Sequence, residues 1–320
     1  MMAEKNFTRG GKETEIIVEP LCSNILTGGS HDKLIYLAAF NVFLSITAFL
    51  GNTLILVALR KESSLHPPSK LLLRCLAVTD LCVGLIAEPL LVVYWMSLVQ
   101  EYWDFCRYVF YSSYISGFIL CSVSLLVLTA ISVDRLFALL LGLRYRQVVT
   151  LKRLYVIVVT FWIVSTVAAM CFLVNRLINS WYCYTVMPLS VVISVICYTK
   201  IFLGLRHQQK RQAQVAQGLV QQDSPTQTIR LNKVRYRKAV SSALWLQLVL
   251  AVCYLPYNVV SVLFSDHGKL SSFSFLAWQL AVTLVYLNSS LNPFLYCWKI
   301  TEVRQAVKRT IRQVLCCSPS

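Results

Sequence analysis

The stretch Asn288-Ser-Ser-Leu-Asn-Pro-Phe-Leu-Tyr296 sets Asn288, Asn292 and Pro293 inside an otherwise apolar run. Asparagine is costly in hydrocarbon and proline deletes a helical hydrogen bond. Such residues persist where neighbouring helices or internal water satisfy them, which marks a working site. Two acids, Asp80 and Glu88, are also embedded in apolar sequence. A carboxylate near a bilayer centre costs about 2.5–3.5 kcal/mol on insertion scales, so Asp80 has to be neutral, paired or hydrated. These groups suit cation binding and exchange of hydrogen bonds, not bond-making chemistry. His31, His66, His207 and His267 all fall outside the apolar runs or at loops, which leaves no Ser–His or His-based metal site and argues against an enzyme.

These residues need a scaffold, and composition supplies it. Of 320 residues 57% are hydrophobic and only 14% charged, below the soluble norm of about 25%. The mean hydropathy is +0.63. Seven apolar runs reach the roughly 20 residues that cross a bilayer, near 34–59, 70–95, 107–137, 152–174, 183–205, 239–264 and 273–297. The predicted fold class is an all-α membrane protein, a seven-transmembrane helix bundle with a short amphipathic surface helix after helix seven. The expected organisation is a polar extracellular segment over 1–33, one seven-helix domain over 34–298, and an amphipathic helix and tail over 299–320. In that last segment Val303, Ala306, Val307, Thr310 and Ile311 share a face, with Arg304, Lys308 and Arg312 on another. The Gln-rich 206–238 stretch is expected to be a mobile loop or an extension of helices five and six.

Charge sets the orientation. The loops after helices one, three and five and the tail after helix seven carry four, four, eight and five lysines and arginines, against seven on the other face. Loops rich in Lys and Arg stay in the cytoplasm, so the N-terminus is expected outside and the C-terminus inside. The net charge of +16 is therefore a topology signal, favouring anionic lipid and implying no nucleic acid. Cys22, Cys106 and Cys183 fall outside, an odd number that leaves one unpaired or intermolecular. Asn6-Phe7-Thr8 is a glycosylation sequon in the exposed N-terminal segment. Cys316 and Cys317 follow the last basic helix, a common place for palmitoylation.

Seven motifs in order resemble the rhodopsin-like (class A) G-protein-coupled receptors over nearly the whole chain. They are Gly51-Asn52, Leu76-Ala77-Val78-Thr79-Asp80, Ser132-Val133-Asp134-Arg135-Leu136, Trp162, Tyr198 with Ile201, Cys253-Tyr254-Leu255-Pro256, and Asn292-Pro293-Phe294-Leu295-Tyr296. The resemblance implies a plasma-membrane receptor that takes a small-molecule or peptide ligand from outside and activates a heterotrimeric G protein inside. It implies that Asp80, Ser124, Asn288 and Asn292 form a polar core able to hold a sodium ion, with no other cofactor. It implies a switch made of Asp134, Arg135, Tyr198, Tyr254, Pro256, Pro293 and Tyr296, in which Arg135 pairs with Asp134 at rest. An acid that the family often has at the base of helix six is replaced here by Tyr236, which predicts a weak resting lock. Tyr254 stands where the family usually has tryptophan.

The resemblance also implies an outer disulfide, Cys106–Cys183, with Cys22 as the competing partner. Cys106 lies one helical turn before the family's position, which holds Phe110, and Pro188 lies ten residues before Tyr198 where eight is usual. The ligand-binding candidates are Glu88, Ser113, Tyr114, Gly117, Phe118, Cys121, Tyr257, Asn258, Ser261, Trp278, Val282 and Tyr286, a mostly aromatic set with a few polar points. Gly117 stands where monoamine receptors have aspartate, and Tyr286 where opsins have their lysine, which disfavours both ligand types. The short second outer loop resembles that of melanocortin, adenosine and lysolipid receptors. A transporter would show two related halves with broken helices, and a channel charged rings or a filter; neither is visible in the sequence.

Overall fold

In hydrocarbon a single segment can satisfy its own backbone only as a helix. The computed structural model describes residues 21–23, 29–61, 66–218, 249–263, 271–299 and 301–316, and no strand occurs among them. Helix α1 spans His31–Lys61, α2 Pro67–Val99, α3 Trp103–Leu141, α4 Leu151–Val174 and α5 Arg176–Gly218. The described part of α6 is Val249–Leu263, followed by α7, Ser272–Lys299, and α8, Thr301–Cys316. Helices α1 to α5 each contain a stretch long and apolar enough to cross a membrane. Helix α7 has the length, but Gln279, Thr283, Asn288, Ser289, Ser290 and Asn292 thin its apolar run, and all six are buried.

Helix α3 is the most buried of the spans and packs on α2, α4 and α5, while α1 packs on α2 and α7. Lipid-side residues stay apolar and exposed, such as Phe43 and Leu50 on α1 or Ile163 and Val167 on α4. Helix α8 lays Val303, Ala306 and Val307 against α1 and α7 and leaves Arg304, Lys308, Arg309 and Arg312 exposed. Ile311, expected on the apolar face, is exposed. Gly142, with φ +49°, closes α3 in a conformation that favours glycine.

Pro89 and Pro293 each leave a helical carbonyl without its donor, and α1 satisfies both. Pro293 offers no N–H to the carbonyl four residues back, that of Ser289. Asn52 Nδ2 donates to that oxygen instead, at 3.1 Å. Gly51 makes room, because a Cβ there would lie 2.8 Å from Pro293 Cγ. In α2, Val83–Ala87 forms one π-helical turn, in which Glu88 N–H donates to Val83 O. In that register Pro89 would have bonded Gly84 O, and Ser45 Oγ of α1 donates to it at 2.6 Å.

The outer ends correct the sequence reading. Asn175 alone separates α4 from α5, so the second outer loop is shorter than expected and α5 begins seven residues before the expected 183. Asn175 Oδ1 caps the new helix by accepting from Leu177 N at 3.0 Å. Cys183 is thereby drawn about two turns down α5, where it is buried beside Tyr257 and free. The expected Cys106–Cys183 bridge does not form; Cys106 is bonded to Cys22. Tyr94 reinforces that tie by donating to Leu21 O at 3.2 Å. Asn6, Tyr236 and Cys317 lie outside the described residues, and Cys316 ends α8.

Removing the observed bridge with Cys22→Ser should destabilise the folded protein by about 2–4 kcal/mol, whereas Cys183→Ser should leave the bridge intact. Thermal unfolding of both variants, with peptide mapping under non-reducing conditions, checks this. A Cys106–Cys183 peptide in the wild type would contradict the structure.

Candidate functional site

Asp80 is fully buried at the meeting point of α2, α3 and α7. Ser124 Oγ and Ser289 Oγ donate to its Oδ1, both at 2.9 Å, and Asn292 Nδ2 donates to Oδ2 at 2.7 Å. Ser289 and Asn292 share a face because they are three residues apart on α7. Asn288, expected in this cluster, turns instead toward Tyr254, and its Nδ2 is otherwise without a partner. Asn292 Oδ1 is also buried and unpartnered. The set offers only oxygen ligands, two from the carboxylate, two hydroxyls and a free amide oxygen, so its chemistry fits a small hard cation.

Outward of this core lies a cavity of about 650 Å³, counted to its open mouth. Nine expected ligand-binding residues line it: Ser113, Tyr114, Gly117, Phe118, Cys121, Tyr257, Trp278, Val282 and Tyr286. One turn apart on α3, Phe110, Tyr114 and Phe118 stack in sequence, with centroids 6.1 and 6.0 Å apart. Phe172 of α4 closes on Tyr114 at 4.2 Å. Gly117 and Tyr286 interlock: the Tyr286 hydroxyl occupies the space that a Cβ on residue 117 would need. The two positions that disfavour monoamines and retinal therefore fill one another.

Three expected residues are not in the wall. Asn258 Nδ2 is held by Tyr254 O at 2.9 Å, and Ser261 O accepts from Tyr184 at 3.1 Å. Glu88 is neither a rim acid nor a wall residue. It is wholly buried, and both its carboxyl oxygens lack partners. The π turn just before it rotates α2 and carries it inward. The wall also contains residues that sequence reasoning missed, among them Tyr94, Met187, Val285 and Gln279. Gln279 carried a usable signal, a primary amide inside an apolar run. Tyr254 lines the floor, donates to Cys121 O at 3.4 Å and touches Asn288 below, so it joins the cavity to the polar core.

At the inner end Asp134 is buried, and both its oxygens are taken from outside α3. Ser69 Oγ donates to Oδ2 at 2.8 Å, and Tyr145 Oη to Oδ1 at 2.6 Å. No Asp134–Arg135 ion pair forms among the described residues, which corrects the expected resting pair: each carboxylate oxygen instead holds a short bond from a neutral hydroxyl outside α3. Burial and the bond to Asp134 push the Tyr145 hydroxyl up to about 12, so it remains a donor at neutral pH. Arg135 lies within electrostatic reach of Tyr198, which is buried. Tyr296 is buried with its hydroxyl unpartnered. Helix α6 continues through Pro256.

A family model described as "7 transmembrane receptor (rhodopsin family)" matches residues 51–296, from Gly51 beside the Pro293 ring to Tyr296. The chain belongs to the rhodopsin family of seven-transmembrane receptors. It is a multi-pass membrane receptor of the G-protein-coupled type, with a disulfide between Cys22 and Cys106. One departure from the family pattern goes with this bond: Cys106, a turn early in the sequence, is paired with Cys22.

The Gly117–Tyr286 contact makes a sharp prediction. Gly117→Ala should overpack the cavity at a cost of about 1–3 kcal/mol. Adding Tyr286→Phe should recover most of that loss. Thermal unfolding of the two single variants and the double variant checks it; additive losses would refute the contact.

Proposed function

We propose that this receptor resides in the plasma membrane with its N-terminus outside, takes a small-molecule or peptide ligand into the cavity lined by α2, α3, α5, α6 and α7, and activates a heterotrimeric G protein at its inner face. The observation that carries this reading is that Tyr254 on the cavity floor meets Asn288, which lies one turn before Asn292 of the Asp80 cluster on α7. Arg135, Tyr198 and Tyr296 then lie at the inner end. A ligand pressing on Tyr254 biases two packings of one polar core, which is a shift of a pre-existing equilibrium. Pro256 is the hinge for movement of α6, and the Asn292-Pro293 segment is the matching joint in α7.

Asp80, Ser124, Ser289 and Asn292 would hold a sodium ion in the closed form, supplying negative charge and oxygen ligands. The G protein would contact Arg135, the loop around 143–145 and the inner ends of α5 and α6. Arg135 is free of Asp134, and its planar fork of N–H donors is ready to meet a partner's carbonyl groups. Asn6 is proposed to carry a glycan, and Cys316 and Cys317 palmitoyl chains that fix α8 on the inner leaflet.

Arg135→Ala should abolish coupling or greatly change it at equal surface expression. Dose–response curves that match the wild type would refute the role. Because neither Asp134 nor an acid at residue 236 locks Arg135, signalling without ligand should exceed mock-transfected cells. Basal output read with several G-protein sensors tests this, and output at the mock level in all of them would refute it.

A further inference from the structure

The cavity wall combines two observations that together define what fits it. The first is charge: none of its lining residues among the described part of the chain is Asp, Glu, Lys, Arg or His. Glu88 and Asp80 are buried outside it. A charged occupant would surrender its hydration with no charged group in the wall to replace it. The second is a buried donor without a partner among the lining residues. Tyr94, Tyr114 and Tyr254 each donate inside the protein, to Leu21 O, Asn179 Oδ1 and Cys121 O. Gln279 is only 2% exposed, and its Nε2 has no partner.

The orientation of that amide is fixed by its neighbour. Trp95 Nε1 donates to Gln279 Oε1 at 2.9 Å. An indole N–H can only donate, so the oxygen must face Trp95, and the NH₂ is the end left over. Trp95 is itself fully buried on α2, so the amide is held between two helices. Turning it over would set donor against donor and leave two buried N–H groups unsatisfied.

We propose that the cavity selects an uncharged, largely aromatic or alicyclic ligand bearing a hydrogen-bond acceptor, such as a ketone or amide carbonyl, that Gln279 Nε2 recognises, with Trp95 as the residue that sets the polarity of this recognition. This deepens the receptor reading above and rests on the cavity being the ligand site.

The test uses purified full-length receptor and four rigid tricyclic probes of similar shape: fluorenone as acceptor, carbazole as donor, and fluorene-9-carboxylate and protonated 9-aminofluorene as charged forms. Binding is read by thermal shift and by tryptophan fluorescence, without a G protein. Fluorenone should bind roughly three- to tenfold more tightly than carbazole, and the charged pair more weakly than either. Gln279→Met should erase the fluorenone preference. Trp95→Phe, which frees the amide to turn, should narrow or invert it even if Gln279→Met fails to fold. Equal binding of fluorenone and carbazole, tighter binding of a charged probe, a preference unchanged in both variants, or no binding by any probe would overturn the proposal. Because the readout needs no coupling, a chain that binds fluorenone but never signals would sink the receptor function and leave the selectivity standing.

Discussion

A carboxylate in the middle of hydrocarbon has few tolerable surroundings, and Asp80 dictates the arrangement around it. Three donors from two other helices converge on its oxygens, and each must keep its rotamer and helix phase to do so. The cost of leaving any of them unpaired in a low-dielectric site couples α2, α3 and α7 more tightly than apolar packing would. The same cost is what makes the core usable as a switch. Rearranging it means exchanging one satisfied set of hydrogen bonds for another, so intermediate positions are disfavoured. Unpartnered atoms beside it, Asn292 Oδ1, Asn288 Nδ2 and Tyr296 Oη, are the spare valences such an exchange requires.

Among the described residues helix α1 makes no side-chain hydrogen bond to the expected switch residues, yet it stabilises both irregular helices. Ser45 and Asn52 lie seven residues apart on one face and complete the two carbonyls that the prolines orphan, Gly84 O and Ser289 O. A third α1 side chain, Asn41, donates through Nδ2 to Thr283 of α7 at 3.2 Å. Small residues at the crossings, Gly51 against Pro293 and Gly84 against Ala48, let the backbones come close enough for these bonds. Helix α1 thus acts as a strut along which polar side chains substitute for missing backbone donors.

Much of this was legible in the sequence because membrane sequence separates its signals. Apolar length marks the spans, basic loops mark a side, and a polar residue inside a span has to mean something. Asp80 and Asn292 stand out on that ground, whereas Ser124 and most of the cavity wall came from the resemblance to the receptor family. What stayed hidden depends on local backbone. The π turn before Glu88 changes the phase of outer α2, and no hydropathy pattern reports it. A single residue, Asn175, joins α4 to α5, which moves Cys183 into a helix and hands Cys106 to Cys22. Ser289 was overlooked beside Asn288 because serine is a common apolar-helix residue, and only the phase set by Pro293 and Asn52 turns it toward Asp80.

Helix α7 places six polar side chains within a single span, all of them sheltered by neighbours. Alone in lipid such a segment would be a reluctant guest, since nothing would cover those groups. Biosynthesis therefore has an order built into it. Because α7 emerges from the ribosome last among the spans, Asn41, Asn52, Asp80 and Trp95 have already been delivered to the bilayer, ready to receive it. Its integration is an act of assembly onto earlier helices, not an independent partitioning step.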